Sequence, residues 1–236
     1  MSLPIQRVSA RLGYHLWAET YDSTPNPIVA LDARYTQAVL APRAGERILD
    51  AGCGTGRHLE ALQAAGARGV GLDFAPGMLA ASGQRVPGTP RVLADLLQPL
   101  PLATGTFDAV LSALIGEHLE ELGRHFAELV RVLRPGGRLV FSVYHPWLAA
   151  AGKEANFQLR GVEYRLGAFA HTLEDYRAAM VAAGLGQLQL AEFHADDELA
   201  AAVPPARKYL GRALLVIFSG VKNATQGPEG GLARST

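Results

Sequence analysis

The feature that most constrains this 236-residue chain is a glycine-rich turn that follows a short apolar run. The run Arg47–Ala51 predicts a buried strand, and Leu59 and Leu62 beyond the turn have helical spacing. Glycine permits positive φ angles and lets a ligand approach the backbone without meeting a Cβ atom. The helix N-terminus that follows offers free N–H groups to an anionic ligand group. The turn therefore predicts a strand–turn–helix unit that binds a nucleotide-like ligand.

From Arg47 onward, short apolar runs alternate with helical patterns, as is typical of βαβ units and a parallel sheet. We predict an α/β fold with a doubly wound sheet and helices on both faces. The predicted strands are Arg47–Ala51, Gly69–Asp73, Pro90–Ala94, Phe107–Ser112, Gly137–Val143, Gln187–Phe193 and Ala213–Ser219. The clearest predicted helices run over about 120–133 and from a Thr172 cap to Gly184.

Two segments lie outside this alternation. Residues 1–44 contain one convincing helix, which Asn26 can cap and Pro27 can begin. The connection of about 144–171 contains a predicted hairpin around Arg160-Gly161. Because long connections inside a compact domain are usually functional, we expect both segments to form a small cap over the substrate. The main domain is then 45–223, and the Gly-, Ser- and Pro-rich residues 224–236 are expected to be disordered.

Composition restricts the classes of partner. The 22 basic and 22 acidic side chains balance, so no nucleic acid is expected as a partner. Cys53 is the single cysteine, which rules out an intramolecular disulfide or a cysteine-rich metal site, and we expect no bound metal. No apolar run reaches membrane-spanning length, so we expect a soluble cytoplasmic protein, a monomer or a homodimer, without a membrane partner.

The spacing of the glycines separates two classes of nucleotide site. A dinucleotide fold favours G-x-G-x-x-G, whereas this turn has G-x-G-x-G with Arg57 in the place of the last glycine. Asp50 precedes the turn, and Asp73 and Asp95 follow the second and third predicted strands. An aspartate in such a position can accept hydrogen bonds from both hydroxyls of a ribose.

At this point the chain resembles a known family. Asp50–Gly56, Asp73, Asp95 and the Arg134–Gly137 turn resemble the successive motifs of class I S-adenosylmethionine-dependent methyltransferases, most closely the small-molecule branch that includes the ubiquinone-biosynthesis type. The resemblance implies S-adenosyl-L-methionine as the cofactor. It also implies a Rossmann-like, mainly parallel sheet of seven strands, of which the seventh is antiparallel.

The resemblance further implies which residues contact the cofactor. The residues expected at its methionine and ribose end are Tyr21, Asp50, Gly52, Cys53, Gly54, Gly56, Ser112 and Ala113. Asp73 would hold the ribose diol, and Phe74 and Met78 would flank the adenine. Asp95 would face the exocyclic amine of the adenine, and the Leu96 amide a ring nitrogen. Cys53 has the character of a small buried filler rather than of a nucleophile.

Two histidines are candidates for catalysis. His118 and His145 follow the fourth and fifth predicted strands, at the sheet edge where open α/β folds bind ligands. Histidine can accept a proton near neutral pH, although each could equally cap a helix or satisfy a loop carbonyl. We expect in-line methyl transfer to an O, N, S or C atom of a small molecule. A non-catalytic cofactor-binding protein, an NAD-dependent oxidoreductase and an RNA methyltransferase are the alternatives.

Overall fold

Two β-sheets organise the chain, for which a computed structural model describes residues 3–224. Of the tail predicted to be disordered, residues 225–236 lie outside the described part. The strands are β1 Ile5–Arg7, β2 Arg47–Ala51, β3 Arg68–Asp73, β4 Arg91–Leu93, β5 Phe107–Ala113, β6 Leu133–Tyr144, β7 Asn156–Leu159, β8 Val162–Arg165, β9 Leu185–His194 and β10 Ala213–Lys222. The α-helices are α1 Ala10–Trp17, α2 Pro27–Leu40, α3 Arg57–Ala64, α4 Pro76–Arg85, α5 Leu122–Val132, α6 Trp147–Ala150, α7 Leu173–Ala182 and α8 Asp197–Ala202.

The larger sheet has seven strands in the order β4-β3-β2-β5-β6-β10-β9. Its pairs are parallel except that β10 runs antiparallel to both β6 and β9. The seven-stranded, mainly parallel sheet with an antiparallel last strand is therefore confirmed. The main difference in bounds is in β6, which begins at Leu133 and includes the Arg134–Gly137 turn.

Alternate side chains of each central strand supply a core on each face of this sheet, as the period of two requires. In β6, Phe141 packs in the core that α5 and α7 cover, while Val140 packs in the core that α2, α3 and α8 cover. No helix within residues 3–224 is long and apolar enough to cross a membrane.

Local capping signals form as the sequence predicts. The Asn26 side chain accepts hydrogen bonds from the first amides of α2, and Thr172 forms a reciprocal capping box with Asp175 at the start of α7. Sequence reasoning found one helix in residues 1–44, and this was incomplete because α1 precedes α2. The helix α1 begins at the Ser9 cap and has only eight residues, too few for a clear periodic signal.

The smaller sheet joins the two segments that fall outside the main alternation. The predicted hairpin forms as β7 and β8, and β1 pairs with β8 in parallel. The ring of Trp17 on α1 stacks on that of Phe157, with 4.9 Å between their centroids. At Gly13 an added Cβ would lie 2.6 Å from Leu166, so the helix backbone lies directly against the hairpin. The N-terminal segment and the long connection thus pack together around a small core of their own.

A fully buried carboxylate ties α2 to the start of α3. Asp32 accepts hydrogen bonds from Arg57 at 2.7 Å and lies 2.8 Å from His58 Nε2. The hydroxyls of Thr36 and Ser142 both donate to its other oxygen at 2.6 Å. These partners hold the pKa of Asp32 well below its usual range, against the effect of burial.

We predict that Asp32→Asn lowers the free energy of unfolding by about 3 kcal/mol, because a buried network loses its only negative charge. Arg34→Gln on the same helix is the matched control. It removes a partly exposed pair with Asp196 and should lower stability by less than about 1 kcal/mol. Urea denaturation of both variants checks this. A loss no larger for Asp32→Asn than for Arg34→Gln would contradict the importance of the network.

Candidate functional site

A crevice opens at the carboxyl ends of β2 and β5, where the strand order reverses. From β2 the chain builds β3 and β4 on one side of the sheet, and then β5 and β6 on the other. Ligands of open α/β sheets bind at such a switch point. The crevice is lined by Tyr14, Tyr21, Gly52, Gly54, Asp73, Phe74, Met78, Asp95, Leu96, Leu97, Ala113, Leu114, Ile115, His118 and Leu119.

Backbone rather than side chains forms one wall of this crevice. Gly54 has a φ angle of 52°, and a Cβ added there would meet nothing within 4 Å. Gly52 has a φ angle of 89°, and a Cβ there would lie 2.7 Å from Ile115. Glycine at position 54 keeps space open for a ligand, and glycine at position 52 permits close packing against Ile115. Both positions require glycine because their φ angles are positive.

Asp73 holds this wall in place from the end of β3. Its Oδ2 atom accepts the Gly54 N–H at 2.9 Å, and its Oδ1 atom accepts the Ala75 N–H at 2.8 Å. Burial raises the pKa of Asp73 above its usual value, while these backbone bonds oppose the shift. Asp95 is arranged in a similar way, since its Oδ1 atom accepts the Leu97 N–H at 2.9 Å. Each carboxylate keeps lone pairs for a ligand.

Four of the residues predicted to contact the cofactor do not line the crevice. Asp50 is fully buried beneath the glycine turn, and burial raises its pKa to about 6. Neither of its oxygens, nor the Ser112 hydroxyl, has a hydrogen-bond partner among the described residues. Cys53 packs against Gly71, where burial raises the pKa of the thiol far above its usual value. Gly56 serves as the N-cap of α3.

The two candidate catalytic histidines have different positions. His118 lines the crevice, and its Nε2 atom lies 2.9 Å from the Tyr14 hydroxyl. Burial lowers the pKa of His118 to about 4, so it is neutral at physiological pH. His145 lines neither the crevice nor the second cavity described below. Its Nε2 atom lies 3.0 Å from Glu192 on β9, and a catalytic role for His145 stays a prediction.

A second, larger cavity of about 330 Å³ adjoins the crevice. Tyr14, Tyr21 and Leu114 line both spaces and so form a shared wall. Leu114 has a φ angle of 55°, a conformation that costs a non-glycine residue energy and is often found at functional sites. The rest of the larger cavity combines aromatic and aliphatic side chains from α1, α2 and β6 with polar and charged ones, among them Lys153, Glu154 and Lys208.

Sequence reasoning missed Glu117, which lines the larger cavity. Its carboxyl is buried, and its Oε2 atom has no hydrogen-bond partner within residues 3–224. Its Oε1 atom lies 3.8 Å from His118 Nε2, beyond hydrogen-bond distance. Burial raises the pKa of Glu117 to about 8. The sequence signal was its position next to His118, after the fourth strand.

Sequence reasoning also gave no role to Asp22, which fastens the N-terminal segment to the glycine turn. Its carboxylate accepts a hydrogen bond from the Thr55 hydroxyl at 2.8 Å and one from Arg85 at 2.7 Å. These contacts position Tyr21, the preceding residue, where it lines both spaces. The wall between the spaces therefore depends on a polar contact as well as on aromatic packing.

Comparison with known proteins agrees with this architecture. Residues 49–141 match a family model described as a methyltransferase domain. A solved S-adenosylmethionine-dependent methyltransferase from Mesorhizobium loti superposes with a TM-score of 0.67 and 25% identity, covering 80% of this chain and 98% of that one. The fold and the crevice thus define an α/β protein of the methyltransferase type.

Sequence relatives extend the match. The malonyl-[acyl-carrier protein] O-methyltransferase of Pseudescherichia vulneris is 33% identical over 192 residues, 78% of this chain and 72% of that protein. The demethylmenaquinone methyltransferase of Clavibacter sepedonicus is 44% identical over 108 residues, 44% of each chain. Alignments with four demethylmenaquinone methyltransferases, including this one, span between 43% and 56% of the length of those proteins. The chain belongs to the class I S-adenosylmethionine-dependent methyltransferases.

The crevice fits the cofactor of this family. The open space at Gly54 admits a ligand against the backbone, and Asp73 lies at its edge. Phe74, Met78 and Leu96 give apolar walls for a planar base. The Asp50 carboxylate lies beneath the turn without a partner among the described residues. The donor set therefore matches a cationic amino-acid nucleoside.

The pKa of Glu117 predicts how stability depends on pH. The unfolded carboxyl loses its proton near 4.5, whereas the folded one keeps it until about 8. The folded state therefore binds more protons in this window, and its free energy of unfolding falls as the pH rises.

We predict that Glu117→Gln removes this contribution. The stability of the wild type relative to Glu117→Gln should then fall between about pH 5 and about pH 8, as measured by urea denaturation of both proteins. Titrations that both proteins share cancel in the difference. A difference that is equal at the two pH values would show that Glu117 has no raised pKa.

Proposed function

We propose that this protein transfers a methyl group from S-adenosylmethionine, bound in the crevice, to a small molecule bound in the larger cavity. The observation that carries this proposal is the wall of Tyr14, Tyr21 and Leu114, which is common to both spaces. Because the same residues line both spaces, the two spaces adjoin, and the methyl group and the acceptor atom would meet where they join, about 3–3.5 Å apart. The substrates in the names of the relatives, a malonyl-carrier protein and a menaquinone precursor, make a small acyl or ring acceptor plausible.

The proposed contacts to the cofactor follow from the polar groups of the crevice. Asp73 accepts hydrogen bonds from the ribose hydroxyls through the lone pairs that the Gly54 and Ala75 amides leave free. Asp95 uses its second oxygen for the adenine amine, and Phe74 and Met78 contact the faces of the ring. The Asp50 carboxylate attracts the cationic amino-acid end from beneath.

The protein's contribution to the reaction is alignment and exclusion of water. The bound cofactor supplies a sulfonium whose methyl group is open to in-line displacement. Holding both partners in attack geometry can contribute about 7–11 kcal/mol to lowering the barrier. The small β1-α1 and hairpin unit brings Tyr14, Trp17 and Tyr21 over the reacting groups, and we propose that it acts as the substrate cap.

Other expectations from the sequence stay predictions. These are the domain boundaries, the roles of single residues, the absence of a nucleic-acid partner, the cytoplasmic location and the monomeric or homodimeric state. For the NAD-dependent alternative, the position of Arg57 is informative. Arg57 is the first residue of α3, where a dinucleotide fold has glycine, and its guanidinium binds Asp32. This contact disfavours an NAD site and supports the methyltransferase proposal.

We predict that the protein binds S-adenosylhomocysteine and that Asp73→Asn weakens this binding about 10- to 100-fold, the loss expected for charge-assisted hydrogen bonds. Isothermal titration calorimetry of the wild type and of Asp73→Asn with S-adenosylhomocysteine, and separately with NAD, measures these affinities. Asp197→Asn is the control, because it makes the same substitution at an exposed aspartate on α8, away from the crevice. Heat with NAD but none with S-adenosylhomocysteine, or equal affinity in Asp73→Asn and the wild type, would overturn the proposal.

A further inference from the structure

Glu117 is a buried acid that the binding of the cofactor does not use. It belongs to the short turn between β5 and α5, and it lines the larger cavity rather than the crevice. Its neighbour His118 lines the crevice instead. The two adjacent residues therefore line different spaces, Glu117 that of the proposed acceptor and His118 that of the proposed cofactor. A group on the acceptor side is positioned to act on the acceptor.

Hydrogen bonds within residues 3–224 compensate the burial of the Glu117 carboxyl only in part. Its Oε2 atom is without a hydrogen bond among the described residues, and so is the hydroxyl of Tyr144, which lines the same cavity. Buried polar groups without a partner are uncommon and often mark a ligand or catalytic role. Two of them on one cavity indicate that a polar group of the ligand binds at this point.

Within residues 3–224 no lysine or arginine lowers the pKa of the Glu117 carboxyl. The titratable groups around it are His118, which is neutral, and the hydroxyls of Tyr14, Tyr21, Tyr144 and Tyr176. The other charged side chains that line the same cavity are Lys153, Glu154 and Lys208. With a pKa of about 8, the carboxyl can take up and release a proton close to physiological pH.

The shape and lining of the cavity restrict the acceptor further. Aromatic side chains of Tyr14, Trp17, Tyr144 and Tyr209 face it, together with aliphatic ones such as Ile28. Such walls favour a planar and mainly apolar molecule. A neutral hydroxyl enters such a cavity at lower desolvation cost than an ammonium or carboxylate group does. A hydroxyl is also the nucleophile that most needs a base, because its proton must leave.

We propose that the Glu117 carboxylate takes the proton from an aryl or enol hydroxyl of a planar, mainly apolar acceptor in the larger cavity. This inference rests on the proposed function. The acceptor oxygen forms a bond to the methyl carbon while the bond between that carbon and the sulfonium sulfur breaks. The electron pair of the broken bond stays on sulfur, and the hydroxyl proton passes to Glu117, which later releases it to solvent.

A set of naphthalenes with one ring system and different nucleophiles tests this. The probes are 2-naphthol, 2-naphthoate and 2-naphthalenethiol, incubated with S-adenosylmethionine, with methylated products measured by chromatography. The naphthol keeps its proton near neutral pH, whereas the other two lose theirs more readily and need no base. We expect the wild type to methylate 2-naphthol with a kcat/KM that rises with pH to a plateau above about 8.

In Glu117→Gln we expect kcat/KM for 2-naphthol to fall by about 100-fold or more and to lose this rise with pH. Binding of S-adenosylhomocysteine should be unchanged, because Glu117 does not line the crevice. Glu120→Gln, the same change at an exposed glutamate nearby, is the matched control and should behave as the wild type.

An unchanged pH profile in Glu117→Gln would overturn the inference. So would a failure to methylate 2-naphthol while S-adenosylhomocysteine still binds, and this result would leave the cofactor assignment intact. Absence of S-adenosylhomocysteine binding in the wild type would instead contradict the proposed function itself. The two failures are therefore distinguishable.

Discussion

The hydrogen bond from the Gly54 amide to the Asp73 carboxylate is the contact on which the site depends. It joins the turn after β2 to the end of β3, so the spacing of two neighbouring strands sets the shape of the crevice. The same carboxylate accepts the Ala75 amide and so fixes the start of α4. Further contacts hold the turn from the other side, since Asp22 binds Thr55 and Asp32 binds Arg57. The N-terminal segment and α2 thereby become part of the site rather than an addition to it.

The proposed cap is stabilised by packing between its two parts, α1 and the β7–β8 hairpin. Neither α1 nor the β7–β8 hairpin has enough apolar surface to be stable alone, and each covers the other through the Trp17–Phe157 stack. Their joint position brings two aromatic side chains, those of Tyr14 and Tyr21, to the wall between the crevice and the larger cavity. The crevice has the carboxylates of Asp73 and Asp95 in its lining, and the larger cavity combines aromatic and aliphatic side chains with Glu117 and two lysines.

The sequence predicted best what depends on neighbouring residues. Strands, caps and the demand for glycine at Gly52 and Gly54 are local properties, and the structure has them where they were expected. It predicted less well what depends on distant contacts. The helix α1 is stabilised by a hairpin more than a hundred residues away, and the direction of the His145 ring is set by Glu192 on an edge strand. The burial of Glu117 likewise arises from packing that no pattern around Ile115–Leu119 reveals.

A crystal structure with S-adenosylhomocysteine bound tests the central claim most directly. The account predicts the ribose against Asp73, the adenine between Phe74 and Met78, and the sulfur facing the wall formed by Tyr14, Tyr21 and Leu114. A nucleoside bound elsewhere on the protein, or one in the crevice with its ribose away from Asp73, would contradict it.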